Sequence, residues 1–190
     1  TKTAGLLIDR DSVFSCLDEH WGRAVLNQLA YQYLIPTINL GVRLDVNETG
    51  LRGAAGSIQT LRPGVACLWC AGLLSPDRIR AESLSVRERK RLQEEKYVIG
   101  LETQAPSVIS LTTTLSGLAV TQFLQLITGF LGLDGGFRRL NYFIPEATVR
   151  PGETPVRDSC QCRRVLARGD MLELPTVERR SNGVLAHQLD

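Results

Sequence analysis

Apolar and polar positions change period along this chain, and the changes mark out its elements. The first ordered pattern is an apolar run, Ser12-Val-Phe-Ser-Cys-Leu17, bounded by charges and short enough for a buried strand. Asp18 stands at its end, where a carboxylate can accept an orphan backbone N–H as a helix N-cap. Arg23, Ala24, Leu26, Asn27, Ala30 and Tyr31 then recur at helical spacing, and the helix stops before Pro36. A second apolar segment, Ile35 to Val42, predicts another strand. Strand, helix and strand in this order favour a parallel pair with a right-handed crossover. Thr1 to Asp11 reads as a frayed lead-in or the end of a helix that starts upstream.

Asp45 to Ala55 turns to Asn, Glu, Thr and Gly, which predicts a loop. Gly56 to Leu61 alternates apolar and polar, predicting a strand with one solvated face, and Arg62-Pro-Gly64 is a turn. Ser75-Pro76 opens a short helix, with Ser as N-cap and Pro at the first position. Ser85-Val-Arg-Glu88 is a capping box opening a second, charge-rich helix, Val86 to Lys96, whose mixed signs predict a solvated face. Ser107 to Leu133 carries no charge, but its scattered Ser, Thr and Gln favour a central buried helix over a membrane span. Its apolar face is Val108, Leu111, Leu115, Leu118, Leu126 and Phe130; Gly117 permits close packing, and Leu133-Asp-Gly-Gly136 ends it. Arg139 to Ile144 and Ala147 to Arg150 predict an antiparallel hairpin at a sheet edge. Thr176 to Asp190 has few large apolar residues and reads as a flexible tail.

Composition narrows the picture without changing it. The chain has 190 residues, 43% hydrophobic and 22% charged, enough for one domain with a real core or for part of a larger one. Its net charge of +2 implies neither a nucleic-acid nor an anionic-membrane partner. No signal peptide is visible, and a start at Thr1 without Met suggests a fragment or a processed chain.

Two features carry candidate chemistry. In open α/β sheets ligands sit beyond the carboxyl ends of strands, and Asp18 occupies that place. It reads either as a helix cap or as an Mg²⁺ or nucleotide ligand, since a hard cation bridging phosphates needs only one or two carboxylates. Arg23 lies one turn on, and Asn27 follows on the same helical face. The second feature is cysteine: Cys67-Leu-Trp-Cys70 and Cys160-Gln-Cys162, with Cys16 left over in the first strand. Paired thiols can ligate a metal, although C-x-C falls outside the usual spacing; a redox pair or ordinary buried thiols are the other readings. His20 and His187 have no visible partner.

Cys16-Leu-Asp18-Glu-x-x-x-Arg23-x-x-x-Asn27, then Ile35-Pro36 and Gly41, resembles the ThiF/HesA/MoeB family of ubiquitin-activating-type adenylating proteins, over about residues 6 to 170. Leu17 and Glu19 stand where the family usually has Thr and Asn. The resemblance implies a Rossmann-like α/β fold, a mixed sheet flanked by helices with a zinc-clipped C-terminal region. Residues 1–172 would be the C-terminal part of the adenylation domain and 173–190 a tail. It implies ATP-dependent adenylation of the C-terminal carboxylate of a ubiquitin-like or sulfur-carrier protein ending in Gly-Gly, in a cytoplasmic homodimer. Asp18 and Arg23 would be catalytic, and Asp18, Glu19 and Asn27 would bind ATP and Mg²⁺. Cys67, Cys70, Cys160 and Cys162 would hold structural Zn²⁺. The family's G-x-G-x-x-G turn does not occur in this sequence, and Tyr97 to Gln104 lacks the crossover-loop cysteine of thioester-forming relatives. The alternative is therefore a non-catalytic interaction or dimerisation module, or an inactive fragment.

Overall fold

A computed structural model describes residues 2–47, 50–84, 87–88, 91, 108–132 and 139–174. In chain order its elements are α1 (Lys2–Gly5), β1 (Val13–Ser15), α2 (His20–Gln32), β2 (Thr37–Asn47), β3 (Gly50–Leu61), α3 (Pro76–Ser83), α4 (Ile109–Thr128), β4 (Arg139–Phe143), β5 (Thr148–Pro151) and α5 (Gln161–Arg164). A 3₁₀ turn, Gly169–Met171, follows. The strands form one mixed sheet in the order β1-β2-β3-β4-β5. β1 and β2 run parallel, joined through α2, and Ser15 faces Asn39. The remaining pairings are antiparallel.

Period-two alternation gives the sheet two different faces. Ile38, Leu40, Ile58 and Leu140 point to one face, where Leu115 and Ala119 of α4 cover them. Val13 and Leu61 point to the other, against α2 and the cysteine-bearing segments. Each fully buried Leu of this kind contributes about 1.5–3 kcal/mol. The strand–helix–strand unit, the Arg62–Gly64 turn and the β4–β5 edge hairpin stand as the periodicity predicts. So does α3, whose Ser75 hydroxyl accepts the Arg78 N–H at 3.3 Å.

Several expectations are corrected. Asp18 is not the cap of α2: Glu19 occupies that position without a side-chain cap bond, and Asp18 is exposed. The orphan donors of α2 go instead to Glu82 of α3, whose carboxylate accepts the N–H of His20 at 3.0 Å and of Trp21 at 2.7 Å. β1 ends at Ser15, so Cys16 lies outside the strand and is exposed. Phe14, on the opposite side of β1 from Val13, meets Phe123 of α4 with ring centroids 5.5 Å apart.

The predicted Asp45–Ala55 loop is instead the paired ends of β2 and β3, with a register shift at Asp45/Val46. Its glycines and alanines disguise the strand, and just beyond them a Cβ on Gly56 would lie 2.5 Å from Leu115 Cδ1. α4 is not central. It buries Leu115, Ala119, Gln122 and Gln125, while Ile109, Val120, Leu124 and Ile127 are exposed. Its hydroxyls bond back along the helix, as Thr114 Oγ1 does to Ser110 O at 2.9 Å. Gly117 has open space around it among the described residues, so it mediates no close packing. The helix ends earlier than predicted, at Gly129, which is left-handed at φ 64°. There Gln125 holds the next turn, accepting Leu131 N–H and donating to Gly132 O.

No helix among the described residues is long and apolar enough to cross a membrane. The expected second helix, Val86 to Lys96, lies outside the described residues apart from residues 87, 88 and 91, as do the segment 97–106, the Leu133–Gly136 terminator and residues 175–190. Glu173 and Leu174 still belong to the packed structure: Glu173 O accepts from Gln28 Nε2 at 3.2 Å, and Leu174 packs against the cluster of Val13, Leu26, Leu29 and Ile35.

Candidate functional site

The Cys67–Cys70 turn forms because the chain reverses twice in a few residues. Ala71 N–H bonds to Cys67 O at 2.9 Å and Leu73 N–H to Leu68 O at 2.9 Å. Gly72, at φ 67°, takes the left-handed conformation the reversal needs. The second pair comes from the other end of the chain. Cys160 has an extended backbone at the N-cap of α5 and Cys162 sits in its first turn, so the C-x-C spacing is not an i, i+2 pair within a helix. That local break lets both thiols reach one point, which resolves the spacing objection.

The four Sγ atoms lie within 4.8 Å of one another. Cys67 Sγ is 3.7 Å from Cys70 Sγ and 3.4 Å from Cys160 Sγ. These separations are far longer than a disulfide's roughly 2.05 Å, and all four cysteines are free. Tetrahedral zinc with Zn–S near 2.3 Å needs sulfurs about 3.8 Å apart. The set therefore fits one metal ion, and the cluster can hold one.

Burial pushes the Cys67 and Cys162 thiols well up. Burial pushes Cys70 up too, but backbone donors led by the Arg157 N–H outweigh it and bring this thiol down to about 6. That N–H lies 3.4 Å from Cys70 Sγ, and the Arg157 guanidinium donates to Trp69 O, strapping the turn. A dication that binds here displaces thiol protons, which is how metal affinity becomes pH-dependent.

The expected nucleotide residues separate. Asp18 and Glu19 are exposed beyond the carboxyl end of β1. Arg23 is half-buried, and its Nε donates to Asn39 Oδ1 at 3.2 Å. Burial lowers the Arg23 pKa, while Asp18 and then Glu82 oppose the shift, so Asp18 is electrostatically coupled to this guanidinium. Asn27 turns away from them. It is only 1% exposed, and its Oδ1 accepts the Leu68 N–H at 2.9 Å, inside the cysteine turn. His20 has a partner after all: its Nδ1 accepts the Ser75 N–H at 3.1 Å.

Sequence reasoning missed Asn39, Glu82, Tyr31, Gln59 and Arg157. The readable signal for Asn39 was a polar residue at an inward position of an apolar strand, and its side chain also accepts from Ser15 Oγ at 3.4 Å. For Glu82 and Arg157 no local pattern exists, because their partners are distant in sequence.

No protein-family model and no curated protein matches the chain. Solved structures resemble it, two of Escherichia coli MccB among them. Escherichia coli MccB with succinimide aligns at 13% identity and TM-score 0.51, covering 84% of this chain and 42% of that one. MccB with selenomethionine-labelled MccA aligns at 12% identity and TM-score 0.51, covering 84% and 41%. The likeness is one of fold, and this chain spans about two fifths of the MccB length.

Proposed function

We propose that this chain is the C-terminal part of a ThiF-type adenylating protein, with residues 1–172 in the adenylation domain. The observation that carries the reading is the fold likeness to MccB over 84% of the chain, because MccB is a ThiF/MoeB-like adenylating enzyme. The site supports it: the helix-capping role expected of Asp18 belongs to Glu82, which leaves an exposed carboxylate beyond a parallel strand, beside an arginine anchored on Asn39.

The reaction is attack of a C-terminal carboxylate on the α-phosphorus of ATP, with pyrophosphate leaving. Asp18 would hold Mg²⁺, which when bound neutralises charge on the phosphates. Arg23, kept in place by Asn39, would orient Asp18 and offer positive charge to the phosphate oxygens. Glu19, next to Asp18, would contribute to nucleotide binding there. Asn27, which faces the cysteine turn, has a role there instead. The acceptor is a peptide or small protein presenting a carboxyl terminus, for which a Gly-Gly carrier is the specific candidate; the MccB structure with MccA is in keeping with a peptide. Four converging thiols would hold Zn²⁺ in a closed, structural site. A second copy of the chain would cover the exposed Val120, Leu124 and Ile127 of α4.

The test is ATP–pyrophosphate exchange by the protein together with any coding region upstream of Thr1. Exchange dependent on an added peptide carboxylate supports the reading, and none with any carboxylate overturns it. A second reading is a non-catalytic interaction module; it is favoured by the lack of a G-x-G-x-x-G turn in this sequence, and ATP-independent binding of a carrier would select it.

A further inference from the structure

Three buried side chains seize the backbone on both sides of Cys67. Tyr31 Oη donates to Val65 O at 2.8 Å. Gln59 Nε2 donates to Ala66 O at 2.6 Å. Asn27 Oδ1 accepts from Leu68 N–H at 2.9 Å. Tyr31 is 2% exposed, and Asn27 and Gln59 are 1% exposed. They come from two elements, α2 and β3, that the hydrophobic core already fixes, and Cys67 itself is wholly buried among them.

We infer that Asn27, Tyr31 and Gln59 are positioning residues for the metal centre: they hold the Cys67–Cys70 turn in its ligating shape before an ion binds. The inference rests on the reading of the four thiols as a metal site. The physical reason is that a turn left to order itself on the ion spends binding free energy on its own conformational entropy, about 1–2 kcal/mol per residue fixed. A turn already bonded to the scaffold does not. Each bond is also hard to replace. Water reaches none of these groups readily, so removing one partner strands a buried backbone N–H or C=O and shifts the chain that carries the ligand.

α2 thereby joins the two regions the sequence motif had merged. Arg23 serves the strand end through Asn39, and Asn27, one turn on, serves the metal turn. The same helix grips the second ligand arm: Gln28 Oε1 accepts from Gln161 Nε2 at 2.9 Å, and Tyr31 O accepts from Ala167 N–H at 3.0 Å. Asn27 is thus the motif residue with a metal-side role.

Cobalt(II) is the probe, because four thiolates give it intense tetrahedral absorption bands and a colorimetric chelator can compete for it. Asn27→Ala and Tyr31→Phe are compared with wild type and with Gln125→Ala, a buried amide lost from α4 on the opposite face of the sheet. We expect Asn27→Ala to weaken cobalt binding by about 10–100-fold and Tyr31→Phe by about tenfold, the range for groups that orient metal ligands. The band shape should persist, since the ligands are unchanged, and Gln125→Ala should bind like wild type. Wild-type affinity in both Asn27→Ala and Tyr31→Phe, or an equal loss in Gln125→Ala, overturns the positioning role. No thiolate bands in wild type overturns the metal reading itself, and the inference with it. If Asn27→Ala does not fold, as circular dichroism of the metal-free form will report, Tyr31→Phe decides, because it removes one hydroxyl and keeps the ring in the core.

Discussion

The carboxylate of Glu82 closes the first turn of α2 by accepting the backbone N–H of Trp21 at 2.7 Å. It accepts the His20 N–H as well, so one side chain on α3 serves two orphan donors of another helix. Negative charge at that end also suits the helix dipole. Glu82→Ala should therefore lower unfolding stability by about 1–2 kcal/mol, the cost of a lost cap. Asp18→Ala should cost under about 0.5 kcal/mol, as exposed positions do. Denaturant titration of both variants compares them, and equal losses would restore Asp18 to the capping role.

Asp18 then has a catalytic test free of a folding artefact. In a protein with ATP–pyrophosphate exchange activity, Asp18→Asn should keep its melting temperature and lose about a hundredfold in exchange, near 2.7 kcal/mol of transition-state stabilisation. Undiminished exchange in Asp18→Asn removes it from the catalytic set.

His20 makes stability depend on pH. Burial lowers its pKa below the ordinary 6.5, with Arg23 and Arg78 adding to the shift and Glu82 opposing it. Its Nδ1 must be unprotonated to accept the Ser75 N–H. The unfolded chain consequently binds the proton first, and stability falls as pH drops from about 6.5 toward the lower folded value. His20→Gln should flatten that part of the profile, read as urea midpoint against pH. A slope unchanged by the substitution would assign it to other groups.

Metal should stabilise the folded chain by mass action. Zinc at a thousandfold excess over its dissociation constant adds about 4 kcal/mol. Chelation or Cys67→Ser should lower the thermal midpoint, and Cys16→Ser, at an exposed thiol outside the cluster, should not. Elemental analysis showing no stoichiometric metal in wild type would contradict this.

Two glycines should respond oppositely to alanine. Gly56→Ala drives a methyl into Leu115 and should cost about 1–3 kcal/mol, as overpacking does. Gly117→Ala meets open space inside α4 and should gain about 0.5–1 kcal/mol of helix propensity. Paired melts of the two variants check whether α4 lies on β3 through Leu115.

The sequence by itself determined what depends on near neighbours. Asp18, Arg23 and Asn27 were legible as one motif, Ser75-Pro76 as a helix start, and the apolar runs as strands, because capping and periodicity act over a few residues. The four cysteines were legible as a set, though their convergence was not. Tertiary structure decided the rest. It extended β3 back to Gly50 through pairing with β2, and it gave the cap of α2 to a residue 61 positions from Trp21. It also parted Asn27 from Arg23, sending one to Leu68, 41 positions away, and the other to Asn39. Side chains four apart on a helix share a face only approximately, and a packed core resolves that small angle into different partners.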